Sequence, residues 1–353
     1  MKRLAYSVCL FLVLSGKVTA GPITAGDIFV TDGIFPSRLS RVEPSTGAVT
    51  TVSSGGLFVN PFGIAIAADG NIFVADTAGV IQVSPTSGTQ SLVSEDGFFV
   101  SPVGIAIAAN GDLLIADTGN FNGLPDGRII RVDPTTGTQT LVSSGGSLID
   151  PAGIAIAANG ALLITDFAFL GGAAHVLRVD PITGSQALVS AGGSLVNPLG
   201  IAIAANGDIF VADRVGVALL PDGRIVRIDS STGAQTVISS GGNLFDPTGI
   251  AITANGNILV ADLSTITRAL IQVDQNTGTQ SLITAPDSFS QARGIVVAPS
   301  SATIPEPGSL LLVSVGLFVL YWSRKKYFPW ERIANNSTHR RRSKRTRSRT
   351  LAP

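Results

Sequence analysis

Apolar residues in this chain gather into short runs separated by polar turns, and the pattern returns as one phrase. Five copies read PFGIAIAADGNIFVAD (61–76), PVGIAIAANGDLLIAD (102–117), PAGIAIAANGALLITD (151–166), PLGIAIAANGDIFVAD (198–213) and PTGIAITANGNILVAD (247–262). Each predicts two strands. The first, such as Ile105 to Ala108, is apolar on both faces and suits an innermost position. Asn-Gly or Asp-Gly follows, a pair that tolerates the positive φ of a tight hairpin. The second strand alternates toward a terminal Asp. Segments such as RIIRVDP (128–134) and TQTLVS (138–143), joined by a Pro-Thr-Thr-Gly turn, predict a third and a fourth strand.

The glycines that open the GIAIA-like runs are Gly63, Gly104, Gly153, Gly200, Gly249 and Gly294, in steps of 41, 49, 47, 49 and 45 residues. That period suits four-stranded propeller blades. A lone second half, GDIFVTD (26–32), stands near the start, and a lone first half, ARGIVVAPS (292–300), near the end. An open row of repeats gives no reason for such a split, whereas a closed ring does. The third and fourth strands also occur six times, from RLSRVEPSTGAVTTVSS (38–54) to the copy near 270. The expected fold is all-β, a six-bladed β-propeller over residues 21–300. Its last innermost strand, Gly294 to Val297, completes a blade begun by residues 27–53 and leaves no open edge around the ring. The phrase resembles the NHL-type propeller repeat, P-x-G-(I/V)-A followed by G-N-I-Y-V-A-D, over roughly residues 26–300. That resemblance implies the fold and little about function, because its relatives include scaffolds, lactonases and lyases.

Six carboxylates end the second strands: Asp32, Asp76, Asp117, Asp166, Asp213 and Asp262. Near a channel mouth they are candidates for a cation such as Ca²⁺. Side-chain alternation opposes this, since Asp76 shares a strand face with Ile72 and Val74, a face expected to pack on a neighbouring blade. The competing role is to accept backbone N–H bonds from a turn. Two long loops, 117–128 and 213–224, follow second strands. The first offers Asn120, Asn122 and Asp126 beside Asp117 as oxygen ligands, but Leu-Pro-Asp-Gly in both loops also reads as a simple turn.

Residues 21–304 contain one histidine, His175, and no Tyr, Trp, Lys, Cys or Met. Acid–base or nucleophilic chemistry is thereby confined to Asp, Glu43, Glu95, Ser, Thr or His175. His175 opens a third strand and is expected at the surface. No catalytic residue is assigned: a lyase-like histidine–acid pair is missing from the expected place, and Glu43 lies away from the channel where a lactonase-like metal set would need it. Without Trp or Tyr the body also lacks the usual platforms for sugar rings. Its Phe residues, including Phe58, Phe98, Phe99, Phe245 and Phe289, are expected mostly as wedges between blades.

Charge separates the body from its ends. Residues 21–304 carry 10 Arg against 22 acidic residues, whereas residues 323–353 carry 11 Lys/Arg against Glu331. The acidic body excludes nucleic-acid binding by the propeller. Residues 1–20 have the charged start, apolar run and small-residue site of a signal peptide, cut between Ala20 and Gly21. At the other end a linker (301–309) carries Pro305-Glu306-Pro307. An expected hydrophobic helix (310–322), a basic stop at Arg324, Lys325 and Lys326, and a basic, disordered tail (323–353) follow. This order resembles the PEP-CTERM sorting signal. The resemblance implies an exosortase-type membrane protease as partner, cleavage near the box, and export associated with exopolysaccharide. The 14-residue apolar run from Ser309 to Trp322 is short for a permanent span, so transient anchoring in the membrane is expected. The basic cluster favours the cytoplasmic side.

The reading from sequence is an exported, monomeric, non-enzymatic surface or matrix protein without a required cofactor, binding exopolysaccharide or surface proteins. The alternatives are a metal-dependent hydrolase or lyase, and a protein–protein scaffold.

Overall fold

A computed structural model describes residues 22–33, 36–120, 124–167, 173–216 and 220–299. The signal segment, Asn122, the Pro-Glu-Pro box, the expected helix 310–322 and the basic tail lie outside the described residues. The described chain forms six four-stranded antiparallel sheets, arranged as a propeller. Blade one combines Ile28–Asp32, Arg38–Val42 and Val49–Ser54 with the innermost strand Ala292–Val297. The other innermost strands are Pro61–Ile66, Pro102–Ile107, Pro151–Ile156, Pro198–Ile203 and Pro247–Ile252. Each touches the next, and Ala292–Val297 touches Pro61–Ile66, which closes the ring. The expected fold, blade count and mode of closure are all observed.

Six apolar clusters fill the spaces between adjacent blades. Ile72 and Val74 of blade two pack with Phe29, Leu39 and Val52 of blade one, while Phe73 and Ala75 face Ile105, Leu113 and Ile115 of blade three. Second strands are therefore buried on both faces, and the alternation places Asp76 at the edge of the blade one–two seam.

The innermost glycines set how closely the blades approach. A β-carbon on Gly104 would collide with the Ala152 carbonyl oxygen, and one on Gly294 would collide with that of Phe62. Glycine there allows the backbone of one blade to lie against its neighbour, and the Gly294–Phe62 contact repeats that packing across the closure.

Polar bonds near the outer rim join five of the six seams. Gln186 of blade four donates from Nε2 to Ser143 Oγ and to the Gly145 carbonyl of blade three, both at 3.0 Å, and its Oε1 accepts the Ser147 N–H at 2.8 Å. Gln90, Gln139, Gln235 and Gln280 repeat the bond to a serine of the preceding blade at 2.9–3.0 Å. At the closing seam Val49 holds the glutamine's register position, packed among apolar neighbours that include Ile283.

Candidate functional site at the channel mouth

The six aspartates occupy one structural role. Asp76 is fully buried and accepts the Val59 and Asn60 backbone N–H groups at 3.1 Å, and that of Ala78 at 2.9 Å. Asp117 holds Val100 and Ser101, Asp166 holds Ile149 and Asp150, Asp213 holds Val196 and Asn197, and Asp262 holds Phe245 and Asp246. In blade one Asp32 holds Ser290 and Gln291, both at 2.8 Å. Each carboxylate thus fixes the two residues that enter an innermost strand. Burial pushes the carboxyls of Asp76, Asp117, Asp213 and Asp262 above their ordinary value, against the opposing pull of these N–H bonds. Arg38 and Arg224 pair with Asp32 and Asp213 at 3.0 and 2.9 Å.

Among the described residues no three His, Asp or Glu side chains gather as a metal site. In the loop 117–128, Asn120 Nδ2 donates to Asp126 Oδ2 at 2.6 Å, and the Gly119 N–H is bonded to Asp117 at 3.0 Å. The described residues at the two sides of the loop are therefore tied together, with Asp126 joined to Asn120 and Asp117 engaged by amides. His175 opens its strand as expected but is buried, not at the surface. Its ring reaches inward because Nδ1 and Nε2 lie 2.6 and 2.9 Å from the Ala173 and Ser147 carbonyl oxygens.

The chemistry at the mouth comes from a position that the repeat leaves variable. The residue between the opening proline, or its counterpart, and the glycine is Phe62, Val103, Ala152, Leu199, Thr248 or Arg293. In every blade the register between innermost and second strands shifts here, and such bulges re-aim side chains. The six residues line a cavity of about 350 Å³, with the following isoleucines, Phe167 and Leu263 contributing apolar wall. Thr118 and Thr248 also line it, but their hydroxyls bond to backbone carbonyl oxygens. The signal was present in sequence: this slot differs in all six copies while the glycine and isoleucine beside it persist.

Two arginines reach this cavity. Arg214 faces Asp246 at 3.4 Å, and the Asn197 amide oxygen accepts from its Nε and Nη2 at 3.1 Å in the orientation its surroundings require. Burial nonetheless holds the Asp246 carboxyl above its ordinary value, opposed by Arg214. Arg293 has neutral partners instead. Nη1 donates to Asn60 Oδ1 at 2.5 Å and Nη2 to Gln291 Oε1 at 3.0 Å, while the guanidinium sits 4.3 Å from the centre of the Phe62 ring. Its buried Nε has no hydrogen-bond partner among the described residues. Burial lowers the Arg293 pKa, opposed by the charges of Asp32 and Asp76. Gly33 makes the room, since a β-carbon there would strike the Arg293 guanidinium.

Residues 303–325 match the PEP-CTERM protein-sorting motif. No curated protein matches the chain. Among solved structures, a chain from a nidogen/laminin complex is similar at 16% identity and a TM-score of 0.64, covering 78% of this chain and 98% of that one. TolB from Acinetobacter baumannii gives 17% identity and a TM-score of 0.58, covering 78% of this chain and 67% of that chain. A protein of unknown function from Bacteroides caccae gives 14% and 0.57, with coverage of 77% and 98%. At these identities the likeness concerns fold alone. The PEP-CTERM motif indicates export with exosortase-type sorting and a cell-surface or membrane-associated fate. The chain is a six-bladed β-propeller that carries a PEP-CTERM sorting motif.

Proposed function

We propose that the protein is an exported, non-enzymatic cell-surface or matrix component whose propeller binds exopolysaccharide. In this reading the signal segment is removed after Ala20, and the chain is held transiently in the membrane by residues 310–322 and cut near Pro305-Glu306-Pro307. The body, an NHL-type ring acting as a monomer, then remains outside. The observation that carries the reading is the sorting motif joined to a rigid ring with an accessible face. On the mouth-side loops Leu57, Val59, Phe98, Val100 and Val196 are exposed, with Val59 at 65%. The buried aspartates support the non-enzymatic reading, because their oxygens are committed to holding loops.

The experiment is retention of the purified protein on exopolysaccharide extracted from its own host, with and without chelator. Retention insensitive to chelator is expected. No retention in either condition removes the polysaccharide from the reading, and retention abolished by chelator replaces it with a metal-dependent one.

A further inference from the structure

We propose that the channel mouth binds a small organic monocarboxylate, its carboxylate on Arg293 and its apolar body in the isoleucine-lined cavity. This goes beyond the surface-binding reading and does not depend on it.

The argument starts from charge. A cation held partly out of water, as half-buried Arg293 is, gains from being paired, and arginine pairs best with a carboxylate through two parallel N–H bonds. Arg293 is held by two amide oxygens and an aromatic face, and its Nε is left without a partner among the described residues. Its nearby carboxylates are spent elsewhere: Asp32 on Ser290, Gln291 and Arg38, and Asp76 on Val59, Asn60 and Ala78. The second arginine at the mouth, Arg214, is already matched by Asp246. Asp32 and Asp76 act on Arg293 through their charge, but among the described residues no carboxylate pairs with it directly, so the site has a pre-positioned cation open to one.

The cavity fixes the rest of the ligand. Its volume, about 350 Å³, falls in the range of small-ligand pockets, roughly 300–1,000 Å³. Ile64, Ile105, Ile154, Ile201 and Phe167 form much of its wall, and its two threonine hydroxyls bond inward to the backbone. A phosphate dianion would lose its hydration against such a wall without enough donors to replace it. A singly charged acid with an apolar chain gains from both parts. Blade one makes the position available: it alone has glycine, Gly33, directly after the second-strand aspartate, and the guanidinium occupies that space.

The test is calorimetric titration of the full-length protein with hexanoate, its uncharged analogue hexanamide, and inorganic phosphate. Saturable binding of hexanoate is expected, with hexanamide roughly tenfold weaker or more, and no comparable binding of phosphate. Arg293→Gln reduces hexanoate to the level of hexanamide, whereas Arg227→Gln, on an exposed strand position, leaves the preference intact. Should Arg293→Gln fail to fold, Gly33→Ala keeps the charge but displaces the guanidinium, and the same loss of preference is expected. Absence of saturable hexanoate binding overturns the proposal. So does equal affinity for the acid and the amide, phosphate binding as tight as hexanoate, or a preference that survives both substitutions. Retention on exopolysaccharide, measured on the same Arg293→Gln protein, stays unchanged, so failure here is separable from failure of the surface-binding reading.

Discussion

The Gln291 backbone N–H donates to Asp32 Oδ1 at 2.8 Å, joining two residues from opposite ends of the described chain. The same bond joins Asn60 to Asp76 within blade two, where the partners are 16 residues apart. The ring is thus closed by the contact that elsewhere organises a single blade. Asp32 uses one oxygen for each amide, so asparagine there sets a donor NH₂ against one of the two N–H groups and leaves it unsatisfied, at about 1–3 kcal/mol. Asp32→Asn is therefore expected to lower unfolding free energy by about that amount. It should also make the segment 288–297 sensitive to protease, whereas Asp76→Asn, similar in cost, leaves that segment protected. Urea unfolding with limited proteolysis decides it, and equal sensitivity in the two variants would count against a special role for the closure.

The closing seam differs from the other five at its outer rim. Gln186 bridges blades three and four through Ser143, Gly145 and Ser147, whereas Val49 stands at the matching place in blade one. The facing outer strand, Gln280–Leu282, is also only three residues long. Hydrogen exchange is expected to reach Val49–Ser54 and Gln280–Leu282 before the outer strands of other blades, since local opening follows the least-supported edge. Gln186→Ala, which removes three bonds, should cost about 1–3 kcal/mol and accelerate exchange at its own seam.

Two sets of aspartates titrate in opposite directions. Asp76, Asp117, Asp213, Asp246 and Asp262 have raised carboxyl values because burial disfavours their charge. The native state then binds more protons than the unfolded chain, so stability falls as pH rises from the ordinary value of 3.8 through the raised ones. The turn residues Asp133, Asp180, Asp229 and Asp274 are lowered by bonds from backbone and side-chain donors, and they lose their stabilisation as pH falls below that ordinary value. The melting temperature is expected to rise on moderate acidification from neutrality, pass a maximum, and fall below about pH 4. A melting temperature that only declines between about pH 7 and pH 4 would show that the buried carboxyls are not raised.

Replacing Pro305, Glu306 and Pro307 with alanine tests the sorting motif. The full-length form is expected to accumulate in the membrane fraction while the shorter, exported form disappears from immunoblots. An unchanged ratio of the two forms would remove the box from sorting.

The glycine steps and the split half-repeats were enough to determine the ring, because a repeat that begins mid-unit is completed only by closure. Alternation also decided which face of the second strand meets a neighbouring blade: Ile72 and Val74 pack on Phe29 and Leu39. What the six aspartates do needed tertiary structure. A carboxylate at a strand end reads alike as ligand or loop anchor until its distances to Val59 and Asn60 are known. His175 likewise reads as a surface strand start until the Ser147 carbonyl, from the loop that leads into its blade, is found against its ring. The Arg293 site was still further from view. It depends on a bulge that turns the side chain, on Gly33 making room, and on Asp32 and Asp76 being engaged by other partners. Periodicity records which positions repeat, whereas a binding site is made by the positions that do not, and only closure of the ring brings those together.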